Sequence, residues 1–539
     1  RFDMENKKSF GVMLDCSRNA VMKPEQVKKF AKIISAFGYN SVQLYTEDTY
    51  EIESEPYFGY LRGRYTKDEI KDIDAYCNSI GVELIPCIQT LAHLNQIFRW
   101  SKYIPVNDTT DILLVGEEKT YELIDKMFAF LAESFTSRRV NIGMDEAHML
   151  GRGAYLDKNG LESRFKIIKS HLDRVLEIAK KYGFRCMMWS DMFMRIQNGG
   201  EYYSYNVNPS EECKKSVPEN LDLIYWDYYH TDKKMYDSMF DSHKVLSGDN
   251  VWFAGGVWTW VGFAPRNGFS IKAMKPAVKS AAHHNVKNIF ITMWGDDGKE
   301  CSFYAVLPSL FTIKKIYDGE TDMAVIKSEF KKIVGIDYDA MMLLDLPSDA
   351  GKGKNTTNNP CRYMLYNDPV LGILDPIADE NYVKEFKSAS RKLAKYSKDG
   401  EFAYIFNCEK LLCDVLALKC DLGVKLRAAY KADNKDDLKA LALKIKKIEK
   451  ALDNFYYAFR KLWYTENKPH GFDVQDIRLG GLSRRLKSAR ERIEAYVSGE
   501  ISDISELEEN LIDPICREEA DKNSICYQGY RVNSTVNVL

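Results

Sequence analysis

Two adjacent carboxylates followed by a histidine are the residues of this sequence best suited to chemistry. They stand in the stretch VNIGMDEAHM, residues 140–149, as Asp145, Glu146 and His148. Asp-Glu-Ala-His also spells the metal-binding box of motors that hydrolyse nucleotides. Such motors need an upstream phosphate loop of the form Gly-x-x-x-x-Gly-Lys-Ser/Thr, and nothing before Asp145 fits it. The motor interpretation fails, and a pair of acids suited to general acid–base work remains.

Length and charge limit the classes of protein that fit. A chain of 539 residues exceeds the ~250–300 residues of a single core, so we expect more than one domain. The net charge of -2 gives no reason to expect nucleic acid or an anionic membrane as partner. No apolar run approaches the ~18 residues of a membrane span. Because the chain opens on Arg1, we expect the natural N-terminus to lie upstream.

Cysteine and histidine usage argues against metal sites and disulfides. The twelve cysteines are scattered singly, without a Cys-x-x-Cys pair or zinc spacing. This usage favours a reducing compartment, and we predict a cytoplasmic location. His283-His284 is typical of a helix end. We therefore predict no metal and no cofactor.

Residues 1–320 alternate short apolar runs with amphipathic helical segments. One such segment begins with a capping box, Thr66-Lys67-Asp68-Glu69. Eight runs are rich in β-formers: 10–15, 41–48, 82–90, 139–146, 185–191, 221–229, 251–258 and 288–295. Eight strands, each followed by a helix or long loop, predict an α/β fold, a parallel (β/α)8 TIM barrel, over residues 1–320.

The character of the chain changes after residue 320. Long, charged segments with helical spacing follow, without a strand pattern. They predict an additional all-α C-terminal region over 321–539, whose Lys/Glu-rich faces are solvated surface. The stretch DAGKGKNTTNNP, 349–360, is typical of a polar linker or loop.

The barrel explains the adjacent acids. Barrel enzymes gather reactive groups at the carboxyl ends of their strands. Asp145 and Glu146 end the fourth run, where a strand that breaks into its loop lets neighbouring side chains share one pocket. Other strand ends supply further polar and aromatic groups: Asp15, Arg18, Asp48, His93, Trp189, Asp191, Trp226, Tyr228, Trp258, Trp260, Trp294 and Asp296. Indole faces stack on pyranose rings and carboxylates bind hydroxyls, so this set predicts a sugar site.

These strand ends resemble, in order, those of glycoside hydrolase family 20, the β-N-acetylhexosaminidases, over about 300 residues. Residues 13–18 look like the family's Leu-Asp-x-x-Arg, and residues 45–48 like its second-strand segment ending in Asp. Residues 85–93 are similar to Pro-x-x-x-Thr-x-Gly-His, with Ala92 in place of Gly. Residues 142–146 resemble the Gly-Gly-Asp-Glu signature, and 294–296 the closing Trp-x-Glu.

The resemblance implies roles for the individual residues. Glu146 would be the general acid and base, and Asp145 would orient the acetamido N–H. Arg18 would hold the O3 and O4 hydroxyls, with His93 supporting the charge network. Trp189, Trp226 and Trp258 would wall the acetamido pocket. Trp294 would stack beneath the sugar and Asp296 would bind O4 or O6, with Asp48 among the other substrate ligands.

Two departures from the family pattern leave alternatives open. Asp296 is shorter than the family's Glu, so Asp297 or Glu300 could take over, and the galacto or gluco preference is open. Thr259 stands where the family places the tyrosine that binds the acetamido oxygen. Tyr228 or Tyr229 could supply this hydroxyl, and alternation along a strand favours Tyr228 because it shares a face with Trp226. The small α/β domain that commonly precedes the barrel is not seen.

The implied activity is that of a retaining exo-β-N-acetylhexosaminidase acting on glycans with terminal β-linked GlcNAc or GalNAc. The substrate's own acetamido oxygen would be the nucleophile, and burial beside Asp145 would raise the pKa of Glu146 towards the working pH. A family 84 β-N-acetylglucosaminidase and a non-catalytic sugar-binding barrel are the alternatives. The resemblance leaves open a homo-oligomer and a contribution of residues 469–482 to the site.

Overall fold

The structure is a computed structural model that describes residues 8–351, 359–378 and 380–514. Most of the predicted polar segment 349–360 lies outside these residues. The chain divides into two compact units that are interleaved in sequence. The first comprises the residues through Val257, then Phe269–Met293 and Ser309–Gly335. The second comprises Trp258–Gly268, Trp294–Pro308 and the residues from Ile336 onward.

Eight parallel strands close into a barrel in the order β1 to β8, with β8 pairing to β1. This confirms the predicted TIM barrel. The strands are β1 Ser9–Asp15, β2 Ser41–Tyr45, β3 Glu83–Cys87, β4 Arg139–Asn141, β5 Arg185–Trp189, β6 Asp222–Trp226, β7 Val251–Gly256 and β8 Asn288–Met293. In register, Asp15 lies opposite Tyr45, Tyr45 opposite Cys87 and Cys87 opposite Asn141. The strand ends that carry the predicted site therefore meet at one rim.

Most strands are shorter than their sequence patterns predict. β4 ends at Asn141, although the apolar pattern continues to Glu146. Gly143 turns away from the ladder, and its backbone N–H donates to Asn141 Oδ1 at 3.0 Å. β2 likewise ends at Tyr45. A side-chain pattern does not reveal where the ladder stops, and Asp48, Asp145 and Glu146 lie in these overrun segments.

Helices alternate with the barrel strands along the chain. The predicted capping box is present, since Glu69 N donates to Thr66 Oγ1 and Thr66 N donates to Glu69 Oε2. Up to residue 335 the helices are α1 Pro24–Ala36, α2 Lys67–Ser79, α3 Glu118–Ser134, α4 Ala154–Asn159, α5 Arg164–Lys181, α6 Asp191–Gln197, α7 Glu211–Ser216, α8 Lys233–Ser247, α9 Asn267–His283, α10 Leu307–Tyr317 and α11 Met323–Val334.

The C-terminal part is helical, as predicted. Its longest helix, α18, buries Leu438, Leu441, Ile445, Ile448 and Leu452, a spacing of three or four residues that makes one apolar face. The helices are α12 Tyr338–Met342, α13 Leu346–Asp349, α14 Pro360–Tyr366, α15 Glu380–Leu393, α16 Ala403–Lys419, α17 Leu422–Lys431, α18 Lys435–Glu466, α19 Phe472–Ser498 and α20 Ser505–Glu508. Among the described residues, no helix combines the length and apolar character needed to cross a bilayer.

Candidate active site

The loop after β4 brings the two adjacent acids to one point. Gly143, Met144 and Glu146 have φ angles of +73°, +68° and +52°, in the left-handed region that costs energy for residues other than glycine. A Cβ on Gly143 would lie 2.1 Å from Gln89 Oε1, so this position requires glycine. The result is that Asp145 Oδ2 and Glu146 Oε2 lie 3.1 and 3.7 Å from the same atom, Nε2 of His93. The two acids therefore meet at one histidine.

Asp145 is held as a carboxylate by two neighbours. Gln89 Nε2 donates to its Oδ1 at 2.7 Å. His93 Nε2 lies at ion-pair distance from its Oδ2, without hydrogen-bond alignment. Burial opposes ionisation of Asp145, but the charge of His93 outweighs it and lowers the pKa of Asp145. Burial likewise opposes charge on His93, and Asp145 nevertheless raises the pKa of His93 to about 9. The pair is ionised at neutral pH.

Gln89 is a further site residue, and it lies within the motif of residues 85–93, where residue type alone predicts no role for it. Its Nε2 also lies 3.0 Å from the hydroxyl of Tyr45, and its Oε1 accepts from Met144 N at 3.2 Å. Gln89 therefore fixes both the Asp145 carboxylate and the left-handed turn that leads to it.

Glu146 differs from Asp145 mainly in exposure. Its side chain is 40% exposed, against 10% for that of Asp145. Its backbone N–H donates to Asp191 Oδ2 at 3.0 Å, which fixes the main chain but leaves the carboxyl group open. A group that must meet both a leaving oxygen and an incoming water needs such access.

Asp191 adds a third carboxyl group to the pair. It is fully buried at the start of α6, where Arg195 Nε donates to its Oδ2 at 3.3 Å. Burial, followed by the charges of Asp145 and Glu146, raises the pKa of Asp191 to about 7. Its Oδ1 has no hydrogen-bond partner among the described residues. The sequence placed Asp191 on the rim, but its coupling to Glu146 depends on burial that the sequence does not reveal.

Asp191→Asn should change the pH profile of activity. The asparagine oxygen can still accept the N–H of Glu146, but the charge that develops as pH rises through about 7 is lost. Because a like charge opposes ionisation of its neighbours, the alkaline limb of kcat/KM should move to lower pH by up to about one unit. Arg195 and Tyr202 are the other titratable groups facing Asp191. A profile identical to that of the wild type would exclude this coupling.

Arg18 is paired with Glu47, not with Asp48. Arg18 Nε donates to Glu47 Oε1 at 2.8 Å, and the Tyr45 hydroxyl donates to the same oxygen at 3.1 Å. Arg18 Nη2 also lies 3.5 Å from His93 Nδ1, and the charge of Arg18 lowers the pKa of His93, against the effect of Asp145. Asp48 is buried and accepts from Arg62 Nη2 at 2.9 Å. Of the two acids after β2, Glu47 is therefore the one that lies beside Arg18.

An aromatic cluster follows β6. The rings of Trp226 and Tyr228 stack with centroids 5.4 Å apart, as their shared face predicts. A Cβ on Gly256 would lie 2.6 Å from the Tyr228 ring, so the glycine in β7 makes room for this tyrosine. Tyr228 is buried and Tyr229 is exposed. Trp189 is also buried and packs edge-on against Phe290, inside the barrel.

The segments after β7 and β8 belong to the second unit. Trp258 lies against Trp260 with centroids 5.0 Å apart, and Thr259 Oγ1 donates to the Trp294 carbonyl at 2.7 Å. Thr259, which replaces the family tyrosine, thus joins the two segments. Asp296 is partly exposed.

Two arginines of the helical region hold the segment after β8. Asp297 is paired with Arg362 at 2.5 Å and with Arg478 at 2.9 Å, and buried Glu300 lies 3.3 Å from Arg478. Asp297 and Glu300 are therefore engaged in ion pairs within the second unit. Arg478 lies in the segment 469–482, whose contribution to the site could not be decided from the sequence.

A cation could also be considered between His93, Asp145 and Glu146, whose ligand atoms lie within 4.8 Å of one another. A protonated imidazole and a metal ion would compete for the same carboxylates. A metal ion bound there would have to displace the proton from His93, whose pKa is raised to about 9 beside Asp145. We assign no metal to this site.

The sequence model described as the catalytic domain of glycosyl hydrolase family 20 matches residues 10–288. The chain belongs to glycosyl hydrolase family 20. The family predicted from the strand-end motifs is thereby confirmed. A second model, the glycoside hydrolase 20C C-terminal domain, matches residues 337–526 and covers most of the helical region of this family 20 chain.

Similar proteins carry related names. Hexosaminidase D of Bos taurus is 24% identical over 249 residues, which is 43% of this chain and 64% of the relative. Hexosaminidase D of Homo sapiens is 22% identical over 222 residues, 39% of this chain and 43% of the relative. The matches thus span less than two thirds of these relatives. The crystal structure of the family 20 exo-β-N-acetylglucosaminidase from Vibrio harveyi aligns with TM-score 0.47 and 16% identity, over 63% of this chain and 58% of that chain.

Proposed function

We propose that this family 20 chain is a retaining exo-β-N-acetylhexosaminidase that removes terminal β-linked GlcNAc or GalNAc from glycans. The observation that carries the proposal is the meeting of Asp145 and Glu146 at His93 with unequal exposure. One acid is buried and held ionised, whereas the other is open to a ligand. A reaction that needs one permanent carboxylate and one proton carrier fits this arrangement.

The substrate's acetamido group would supply the nucleophile. Its carbonyl oxygen attacks C1 while the bond to the leaving oxygen breaks, which gives a cyclic oxazolinium-type intermediate. Glu146 gives its proton to the leaving oxygen. Glu146 then takes a proton from water, whose oxygen attacks C1 and reopens the ring. The configuration at C1 is retained because two displacements occur.

Asp145 would orient the acetamido group and stabilise its developing positive charge. That task requires a carboxylate throughout the reaction, and the lowered pKa of Asp145 meets the requirement. The hydrogen bond from Gln89 fixes the direction of the carboxylate, so the acetamido oxygen is held in one attacking geometry. The positive charge of His93 would balance the negative charge at Asp145 and Glu146 without contact between His93 and the reacting atoms.

Arg18 is the proposed ligand of the O3 and O4 hydroxyls, held in place by Glu47. For the other sugar contacts we retain the roles that the family resemblance implies. Trp226 and Trp258 wall the acetamido group, Tyr228 or Tyr229 binds its oxygen, and Trp294 and Asp296 bind the sugar ring and its O4 or O6. The single spacing of the twelve cysteines carries the further proposal of a cytoplasmic location.

Release of a chromophore from aryl N-acetyl-β-glucosaminide and N-acetyl-β-galactosaminide tests the activity. We expect turnover of at least one of them. A protein that binds N-acetylglucosamine but releases no chromophore would instead be a non-catalytic sugar-binding barrel. A family 84 enzyme is disfavoured because that family uses paired aspartates where Asp145 and Glu146 stand.

A further inference from the structure

Three aromatic rings form an exposed cluster on the loops that follow β2 and β3. Tyr57 and Tyr60 are each 45% exposed. Both pack on Trp100, with ring centroids 5.4 and 5.6 Å from its ring. We call Tyr57, Tyr60 and Trp100 the aromatic platform. Large apolar rings left in water at one place are characteristic of binding surfaces.

A buried carboxylate locks the two loops together. Glu55, two residues before Tyr57, accepts the Tyr103 hydroxyl at 3.0 Å. It also pairs with Lys102 at 2.6 Å and Lys126 at 2.7 Å. Burial opposes its ionisation, but these two lysines outweigh burial and lower the pKa of Glu55. The aromatic platform is therefore displayed by a rigid scaffold, which reduces the entropy cost of binding.

The backbone beside the platform is strained. Leu61 has φ of +59° although its side chain is 71% exposed. Gly59 has φ of +65°, and a Cβ there would lie 2.1 Å from the Asp48 carbonyl oxygen. Left-handed backbone at a bulky exposed residue is uncommon and points to a functional constraint on the loop.

The two loops that display the platform also carry residues of the candidate active site. The loop after β2 carries Glu47, and the loop after β3 carries His93. Arg62, two residues after Tyr60, donates from Nη2 to the Ser17 carbonyl at 2.7 Å and pairs with Asp48. Ser17 precedes Arg18, so the loop that displays Tyr60 is fixed to the Arg18 turn.

We propose that the aromatic platform binds a further sugar unit of a β-linked oligosaccharide whose terminal N-acetylhexosamine occupies the site at Asp145 and Glu146. The placement of the terminal N-acetylhexosamine at Asp145 and Glu146 rests on the proposed function. The apolar face of a pyranose fits a tyrosine ring, and the phenol hydroxyl can bond a sugar hydroxyl. A stable protein partner would need about 800 Å² on each side, far more than three half-exposed rings provide.

The test compares a short and a long substrate in matched variants. The variant Tyr57→Ala/Tyr60→Ala removes the rings, whereas Tyr57→Phe/Tyr60→Phe keeps them. We expect the ratio of kcat/KM for N-acetylchitotetraose to kcat/KM for the aryl N-acetylglucosaminide to fall roughly tenfold in the alanine variant. The phenylalanine variant should stay within about threefold of the wild type. An unchanged ratio in the alanine variant would overturn the proposal.

Direct binding separates the platform from the catalytic assignment. Calorimetric titration of N-acetylchitotetraose into the Glu146→Gln protein should show roughly tenfold weaker binding when both tyrosines are alanine. If no aryl N-acetylhexosaminide is hydrolysed, the proposed function fails, and binding that depends on the tyrosines still supports the platform. If the alanine variant loses a dimer seen by sedimentation while tetraose binding is unchanged, the platform is an interface between copies and the proposal is wrong.

Discussion

Glu146→Gln should lower kcat for an aryl N-acetyl-β-glucosaminide by about 10²–10⁴-fold, the usual loss when a general acid is removed. The side chain is exposed enough to meet the leaving oxygen, and its backbone is fixed by Asp191, so the amide should occupy the same position. Glutamine keeps the size but carries no transferable proton. Steady-state kinetics with a nitrophenyl substrate measure the effect.

The leaving group provides an internal check on Glu146. A good leaving group needs little protonation, so the loss should be smaller for a dinitrophenyl substrate than for an alkyl glycoside. Glu122→Gln, at an exposed position on α3, is a matched control and should leave kcat within about twofold. Near-normal turnover of the alkyl glycoside by Glu146→Gln would remove Glu146 from the role.

Asp145→Asn should lower kcat/KM by about 10²–10³-fold, comparable to removal of an electrostatic group that stabilises a transition state. Asparagine keeps the shape of the side chain and an oxygen that can accept the hydrogen bond from Gln89, but it loses the negative charge that would face the acetamido nitrogen. Binding of a thiazoline that mimics the cyclic intermediate should weaken in parallel. Unchanged kinetics in this variant would contradict the assignment of Asp145.

The same variant should change the ionisation of His93. The pKa of His93 is raised to about 9 chiefly by Asp145, against the effect of burial. Without that carboxylate, the pKa should fall to or below its ordinary value of ~6.5, because burial then acts with less opposition. NMR titration of the imidazole measures this shift. A titration that stays near pH 9 would mean that another group holds the proton.

The barrel and the acid pair could be predicted from the sequence because both follow from periodicity. The runs of β-formers define the strands, and the position of Asp145 and Glu146 at the end of the fourth run places them on the rim. Glu47 was missed because the run 41–48 and the family segment that it resembles both end at Asp48, whereas β2 itself ends at Tyr45. Only the real end of β2 determines which acid lies beside Arg18.

The roles of Asp191 and Gln89 could not be predicted from the sequence. Their roles depend on the left-handed turn at Gly143 and Met144 and on complete burial of the Asp191 carboxyl group. Neither property has a signature in residue types or spacing. The glycine at 143 was visible, but the atom that excludes a side chain there belongs to β3's loop, 54 residues earlier in the chain, at Gln89.

The division of the chain into two interleaved units could not be predicted from the sequence either. The helices after residue 335 are plain in the sequence, yet Trp258–Gly268 and Trp294–Pro308 group with them in the structure. Ion pairs of Asp297 with Arg362 and Arg478 contribute to this grouping. Pairs between charges so distant in sequence cannot be deduced from one sequence alone.

The proposed mechanism requires that the ligand's acetamido group acts as nucleophile while Asp145 and Glu146 assist it. The most direct test measures kcat/KM for aryl N-acetyl-β-glucosaminide and for the aryl β-glucoside that lacks the acetamido group. An oriented internal nucleophile is worth several orders of magnitude, so we expect hydrolysis of the glucoside to be slower by about 10³-fold or more. Comparable rates on the two substrates would contradict the account.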